Sequence, residues 1–223
     1  MRKFVSPLLL VVVGLIVIQA GASVVTSIPG GTVIPMPAIN LSGTGPTTFG
    51  PGVTWTSTNG GIQCGIPPNP CASVFGSTVP YGFGSNGSWT GALGPLAGLN
   101  DSTDFTGNTD TMTFSFATPV SAVGGFLNYY PDGVTTPTTI AVYDANFNLI
   151  ESYDLVFLTD GSDDSGAFYG FQESGNIIKY FTLTDNYVGI TGLTVATPEP
   201  SSLLLIGSGL LGVVGYRRRR LGL

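Results

Sequence analysis

The sequence predicts an all-β exported domain, an antiparallel β-sandwich of the jelly-roll kind, with an N-terminal signal helix and a C-terminal transmembrane helix. From Thr111 onward, short runs of β-branched and aromatic residues alternate with turn residues, and helical periodicity is almost absent. Both chain ends are apolar with basic flanks, whereas the long middle part is acidic and rich in Gly, Thr, Ser, Asn and Pro. These observations divide the chain into a signal peptide, residues 1–22, an extracellular β-sandwich, residues 23–196, and a membrane-directed end, residues 197–223.

The N-terminus has the three parts of a secretory signal peptide. A basic start precedes an apolar run over residues 4–18, and Ala20 and Ala22 form an A-x-A cleavage site. We therefore expect export by the secretion machinery and a mature chain that begins at Ser23. The alternative is an uncleaved N-terminal anchor, and the small residues of the cleavage site argue against it.

The clearest strand begins at Thr111. Apolar Met112, Phe114 and Phe116 alternate there with hydroxylated residues, which indicates one buried and one solvated face. We expect Pro119 to end this strand, because proline cannot donate to a sheet ladder.

Six further strands are predicted after this one. Gly124 and Gly125 lie in the middle of the next strand and indicate a bulge or a close approach of backbones. A polar loop over residues 144–148 has the length and composition of a hairpin turn. The six predicted strands cover residues 120–130, 138–143, 149–158, 167–172, 177–184 and 189–196.

The first half of the exported part is less regular. Gly, Pro, Ser, Thr and Asn interrupt nearly every run before Asp110. Candidate strands remain only near residues 32–39, 53–58, 74–75 and 81–83.

Two cysteines, Cys64 and Cys71, enclose a proline-rich stretch of six residues. An even pair in an exported chain favours a local disulfide. A redox or nucleophilic role is the weaker alternative, because the chain has no histidine that could activate a thiolate.

The charge of the exported part excludes one class of partner. Between Ser23 and Thr197 the chain has twelve acidic residues and one basic residue, Lys179, for a formal charge of −11. Such a field repels phosphate backbones, so we expect no nucleic-acid partner.

Catalysis has few candidate groups. The chain has no histidine, which excludes Ser/His/Asp triads, Cys/His pairs and the usual zinc sites. Two carboxylates in a cleft could act as a glycosidase pair, but no spacing in the sequence places them so. We expect no enzymatic activity and assign no catalytic residue.

One acidic loop is a candidate calcium site, with Asp160, Ser162, Asp163 and Asp164 as oxygen ligands. It departs from an EF-hand, because Ser165 replaces the required glycine. A solvated loop is the alternative interpretation. Calcium is therefore the single cofactor that the sequence makes possible.

Two tryptophans are candidate carbohydrate contacts. Trp55 and Trp89 lie in or beside Gly-rich segments, and aromatic faces pack well against sugar rings. Burial in the core is the favoured alternative, because tryptophan is usually largely buried.

Three unlike elements follow one another at the C-terminus. Pro198, Glu199 and Pro200 precede an uncharged apolar run over residues 201–216, which would form a helix of roughly 24 Å. A basic cluster then comprises Arg217, Arg218, Arg219 and Arg220. Short basic flanks stay on the cytoplasmic side, so residues before Pro198 should lie outside the inner membrane.

This arrangement resembles the PEP-CTERM sorting signal of bacteria that make exopolysaccharide. The resemblance implies that an exosortase, an integral-membrane cysteine protease, recognises the Pro-Glu-Pro motif and removes the helix. The protein would then reach the cell surface or the extracellular space. A departure is the extension by residues 221–223 after the arginines, and the alternative is an ordinary membrane anchor.

The sequence thus favours a non-enzymatic, exported cell-surface or extracellular-matrix protein that an exosortase sorts. The alternative function is a calcium-assisted carbohydrate-binding module for the cell's own exopolysaccharide.

Overall fold

The computed structural model describes residues 23–59, 72–100, 109–131, 137–185 and 187–197. In this part of the chain two antiparallel β-sheets pack face to face around a main apolar core, and a second, smaller apolar cluster includes Phe83 and Trp89. The predicted signal helix, the transmembrane helix over residues 201–216, Cys64 and Cys71 lie outside the described residues. None of the helical structure in the described ranges has the length and apolar character to cross a membrane.

Within the described residues the chain forms sixteen strands and one short 3-10 turn, Gly84–Asn86. The strands are β1 (Ser23–Val25), β2 (Thr32–Val33), β3 (Leu41–Ser42), β4 (Thr47–Phe49), β5 (Val53–Ser57), β6 (Val74–Ser77), β7 (Tyr81–Gly82), β8 (Ser88–Trp89), β9 (Leu96–Asn100), β10 (Asp110–Val120), β11 (Ala122–Tyr129), β12 (Thr139–Tyr143), β13 (Leu149–Asp154), β14 (Ala167–Gln172), β15 (Ile178–Asp185) and β16 (Tyr187–Ala196).

The larger sheet, called sheet A, has the order β1-β14-β11-β16-β9-β6-β3, and β2 pairs with the C-terminal part of β16. The smaller sheet, sheet B, has the order β13-β12-β15-β10-β5-β4, and β7 and β8 form a separate two-stranded ribbon. All these strand pairs are antiparallel, which confirms the predicted antiparallel β-sandwich; the jelly-roll connectivity stays a prediction.

The seven strands predicted after residue 110 are all present. Two boundaries were wrong, because β10 continues through Pro119 to Val120, and β13 ends at Asp154 rather than at Leu158. The pairing of β10 with β15 shifts register between Ser115 and Val120. Pro119 therefore lies in an irregular stretch of the ladder, where its missing N–H group is tolerated.

The prediction of a bulge at Gly124 and Gly125 is confirmed. The register between β11 and β16 shifts between Gly124 and Phe126. A Cβ atom on Gly124 would lie 2.7 Å from the carbonyl oxygen of Tyr169, and one on Gly125 would lie 2.6 Å from Cδ1 of Ile190. Both glycines permit neighbouring groups to approach where any side chain would collide.

The first half contains strands that local pattern did not predict: β1, β3, β4, β8 and β9. Four of these have only two or three residues, too few for a periodicity. The fifth, β9, has the sequence Leu-Ala-Gly-Leu-Asn, which lacks β-branched residues, yet it lies between β16 and β6. Its pairing partners, rather than its own propensity, make it a strand.

Aromatic side chains join the two sheets. The Trp55 ring on β5 stacks on the Phe75 ring on β6, with centroids 5.1 Å apart and an interplanar angle of 30°. Phe181 on β15 meets Phe171 on β14 edge to face at 6.4 Å. All four side chains are fully buried, so these pairs hold sheet B against sheet A through the core.

Replacing Gly124 by alanine should destabilise the sandwich, because its Cβ atom would press on the β14 backbone. We expect a loss of about 1–3 kcal/mol in the free energy of unfolding. The matched control is Gly175→Ala, since a Cβ atom there meets nothing within 4 Å. Chemical denaturation of both variants measures the difference, and equal stabilities would contradict the packing described for the bulge.

Candidate functional site

The two termini of the described domain lie at the same end of sheet A. Ser23 pairs with Gln172, Gln172 with Ala122, and Ala122 with Ala196. These four residues form one row across adjacent strands, so Ser23 and Ala196 lie about 14 Å apart at the usual strand spacing. The chain continues from Ala196 into residues 197–223, which we call the tail. We therefore call this end of the molecule the tail-exit end.

The last strand is fastened where it leaves the sheet. The carbonyl oxygen of Ala196 accepts hydrogen bonds from the backbone N–H of Ser121 at 2.8 Å and from its hydroxyl at 3.0 Å. Thr197 follows, and it is exposed. A single residue therefore separates β16 from Pro198.

Several predicted site residues lie outside the described residues, and their assignments stay predictions. They are the cleavage-site residues Ala20 and Ala22, the motif residues Pro198, Glu199 and Pro200, and the basic residues Arg217, Arg218, Arg219 and Arg220.

The acidic loop lies at the opposite, distal end. It precedes Ala167, the first residue of β14, whereas the tail-exit row crosses β14 at its last residue, Gln172. That difference of five residues corresponds to about 17 Å along the strand. Asn86, only 1% exposed, fixes the loop, because its side chain donates to the Tyr129 carbonyl and accepts from the backbone N–H of Thr159.

The structure does not bring the three carboxylates of the predicted calcium site together, and calcium binding stays a prediction. The Asp160 carboxylate accepts hydrogen bonds from the backbone and hydroxyl of Ser162, which lower the pKa of Asp160. The Asp163 carboxylate instead accepts from the hydroxyl of Ser88, on the β7–β8 ribbon.

Asp164 faces the same ribbon and accepts bonds from the N–H of Thr90 at 2.8 Å and from its hydroxyl at 2.7 Å. Each carboxylate thus braces a different part of the loop. Across the described ranges, no three acidic, histidine or cysteine side chains come together as metal ligands.

The predicted carbohydrate contacts at Trp55 and Trp89 are wrong, because both rings are buried. Trp55 is 0% exposed and Trp89 is 1% exposed, so neither presents a face to a ligand. The indole N–H of Trp89 donates to the Ser165 carbonyl at 2.7 Å, whereas that of Trp55 has no partner. The alternative, that these tryptophans belong to the core, is correct.

Other aromatic residues line a cleft of about 430 Å³ at the distal end. Its walls combine apolar side chains, carboxylates and hydroxyls: Phe126, Phe157, Leu158, Thr159, Asp160, Asp164, Ser165, Gly166 and Ala167. The Phe157 ring is fixed by stacking on Tyr169, with centroids 5.4 Å apart and an angle of 13°. Sequence reasoning missed Phe126 and Phe157 because both fall in predicted strands, where an aromatic residue indicates core.

Two glutamates carry buried oxygen atoms without partners. Oε1 of Glu173 and Oε2 of Glu151 have no hydrogen bond, and Glu173 is only 8% exposed. Desolvation raises the pKa of both carboxyls, and the Glu151 charge raises the pKa of Glu173 further. Each charge therefore destabilises the folded domain near neutral pH.

Comparison with known proteins identifies one family model. Residues 196–220 match the model described as the PEP-CTERM protein-sorting motif. No curated protein matches the chain, and no solved structure matches it. The chain therefore carries a PEP-CTERM sorting motif, as its last residues predicted, and this motif supports sorting by an exosortase to the cell surface.

The Glu173→Gln variant should be more stable than the wild type at pH 7. A carboxyl whose pKa is raised on folding stabilises the protein fully below its unfolded value, 4.5, and this contribution disappears as pH rises through the raised pKa. We expect a gain of about 1 kcal/mol and a rise of about 2–4 °C in melting temperature.

The control is Asp160→Asn. Because the pKa of Asp160 is lowered, its contribution is present above the unfolded value, 3.8, and removing it should lower stability at pH 7. Thermal unfolding between pH 4 and pH 8 compares the variants. A Glu173→Gln melting curve that follows the wild type at every pH would contradict the assigned burial.

Proposed function

We propose that this chain is an exported, non-enzymatic cell-surface or extracellular-matrix protein. Its β-sandwich is the cargo, and its C-terminal segment spans the inner membrane, with the arginines in the cytoplasm, until an exosortase-like protease acts at Pro198, Glu199 and Pro200. The protein then stays at the surface or is released.

One observation carries this proposal: the sorting motif begins where the folded domain ends. Ala196 is both the last residue of β16 and the first residue that matches the family model. Four arginines follow the apolar run, and a short basic flank of this kind favours a cytoplasmic C-terminus. Cargo and sorting segment are thus consecutive in the chain, without a linker domain.

The residue inventory supports a non-enzymatic role. The chain lacks histidine, so Ser/His and Cys/His pairs of nucleophile and base cannot form. The carboxylates of the acidic loop are engaged in bracing it.

A second candidate function is binding of polysaccharide in the distal cleft. The cleft places the Phe126 and Phe157 rings beside the carboxylates of Asp160 and Asp164. Aromatic faces for sugar C–H surfaces and oxygens for sugar hydroxyls are the groups that hold a neutral glycan. The distal end also faces away from the point at which the tail leaves the domain. This second candidate function does not require calcium.

The mature protein should end at or near residues 198–200 in wild-type cells. Replacing all four tail arginines by serine removes the basic flank that retains the C-terminus in the cytoplasm. We expect this variant to accumulate as unprocessed protein that ends at Leu223. Mass spectrometry identifies the C-terminal residue of the wild type and of the variant.

The matched control is Asp154→Asn, which changes one exposed charge of the exported part and should leave processing unchanged. A wild-type chain that still ends at Leu223 in the mature fraction would overturn the sorting proposal. An arginine variant that is processed normally would show that the basic cluster has no role in topology.

Retention on the producing cell's own exopolysaccharide tests the second candidate. The Phe157→Ala variant should bind about tenfold more weakly, since one aromatic contact is lost. Val156→Ala is the control, because Val156 is adjacent and 72% exposed but does not line the cleft. Equal affinities of the two variants, with equal melting temperatures, would exclude the cleft as the binding site.

A further inference from the structure

The tail-exit end carries exposed apolar side chains. Phe147 in the β12–β13 turn is 55% exposed, Leu149 at the start of β13 is 56% exposed, and Ile177 before β15 is 46% exposed. Such residues normally turn inward, and a group of them on one end of a domain indicates a contact surface. We call these three residues the apolar rim.

The strand register places the apolar rim beside the tail. Ile178 pairs with Val120, and two residues later Ala122 pairs with Ala196, the last residue before the tail. On the same sheet Tyr180 pairs with Tyr143, the residue that leads into the turn. The start of β15, the β12–β13 turn and the exit of β16 therefore lie at one end of the sandwich.

Phe147 is held outward by its own turn. Its φ is +63°, a left-handed backbone conformation that is uncommon for a bulky residue. The Asp144 carboxylate fixes this conformation, because it accepts hydrogen bonds from the N–H groups of Asn146 and Asn148. The turn thus maintains an unfavourable φ angle at Phe147. The result is that more than half of the Phe147 residue surface stays exposed to solvent.

Two tyrosines support the exposed ring. The Phe147 ring stacks on Tyr143 with centroids 4.9 Å apart and contacts Tyr180 at 4.6 Å. One side of Phe147 is therefore packed, and the other is free to contact a partner. Tyrosine favours the boundary between water and lipid, and phenylalanine is among the apolar residues that enter the headgroup and acyl boundary.

The length of the connection brings this end close to the bilayer. Four residues, 197–200, lie between Ala196 and the apolar run that begins at Ser201. Fully extended, four residues span at most about 14 Å. The headgroup layer of one leaflet is roughly 5–8 Å thick, so a tail inserted as proposed holds the tail-exit end at the membrane surface.

The charge distribution favours the same orientation. The one basic residue of the exported part, Lys179, lies at this end and donates to the Ala117 carbonyl at 3.0 Å. The acidic loop with Asp160, Asp163 and Asp164 lies at the distal end. An anionic membrane surface would repel this distal end, whereas at the tail-exit end Lys179 offsets part of the charge of Asp144, Glu151 and Glu173.

Other charged groups near the apolar rim are compatible with a lipid surface. The Asp144 carboxylate is engaged by two backbone N–H groups and by the side-chain amide of Asn148. The carboxyls of Glu151 and Glu173 have raised pKa values, because both are partly desolvated already. Approach to lipid therefore costs less here than it would at a surface of freely hydrated carboxylates.

We infer that the tail-exit end docks on the bilayer before the tail is removed, with Phe147, Leu149 and Ile177 in contact with the headgroup and acyl boundary. This inference rests on the proposed function, because it requires the tail to be inserted in the membrane. Docking would hold the Pro-Glu-Pro motif at a fixed height above the lipid, where an integral-membrane protease can reach it. Removal of the tail would then leave only the weak affinity of the apolar rim.

The test uses the full chain in vesicles of phosphatidylcholine and phosphatidylglycerol. We expect the added tryptophan of the Phe147→Trp variant to lose emission when the lipid acyl chains are brominated. The matched control is Leu158→Trp at the distal end, where the native residue is 73% exposed, and its emission should be unchanged by bromination. Trp55 and Trp89 are common to both variants and buried, so they contribute the same background.

Flotation of the same vesicles separates the two proposals. Full-length protein that does not float with the lipid would overturn the inserted tail, and with it the docking. Protein that floats but shows equal emission from both variants in brominated and ordinary lipid would overturn the docking alone. Ile177→Trp serves as a second reporter at the same end if the turn does not accept an indole.

A polysaccharide is the competing partner for the same rings. If cello-oligosaccharide shifts the emission of the Phe147→Trp variant to the blue while brominated lipid has no effect, the apolar rim binds glycan, and the docking inference is wrong. If lipid quenches and the sugar has no effect, the docking inference is supported.

Discussion

The rest of the structure depends on the position of β16 inside sheet A. This last strand pairs with β11 on one side and with β9 and β2 on the other, so it is the centre of the larger sheet. Strands β9 and β2, from the first half of the chain, both pair with β16, which is formed by the final ten residues of the domain. Folding of the cargo therefore requires the residues that lead directly into the sorting motif, and the long separation of these partners predicts slow folding.

The same arrangement gives the two ends of the sandwich different surfaces. Sheet A brings Ser23 and Ala196 to one end, and sheet B brings Lys179 and the apolar rim to the same end. The acidic loop and the cleft lie at the other end. A domain attached at one end presents its other end outward. In the proposed orientation, the location of the tail determines which surfaces can meet the membrane and which can meet extracellular material.

The acidic residues serve different purposes in spite of their common charge. Asp144, Asp160 and Asp164 brace turns by accepting backbone and hydroxyl hydrogen bonds. Glu151 and Glu173 do the opposite, because each carries a buried oxygen without a partner. Net charge is therefore a guide to solubility and excluded partners, while the stability of the domain depends on which carboxylates find donors.

The sequence by itself determined the features that depend on neighbours along the chain. Alternation around Met112 and Phe114 predicted β10, paired glycines predicted the bulge at Gly125, and the order of unlike elements at the C-terminus predicted the sorting motif. Each of these signals is local, because strand period, glycine geometry and a linear motif are defined within about ten residues.

Only the tertiary structure decided what depends on distant partners. β9 is a strand because β16 and β6 flank it, and Trp55 is buried because Phe75 from the other sheet covers it. The Asp163 and Asp164 carboxylates turn away from a shared site because Ser88 and Thr90 offer donors. Burial and hydrogen bonding are properties of pairs that the fold brings together over tens of residues, which no local pattern contains.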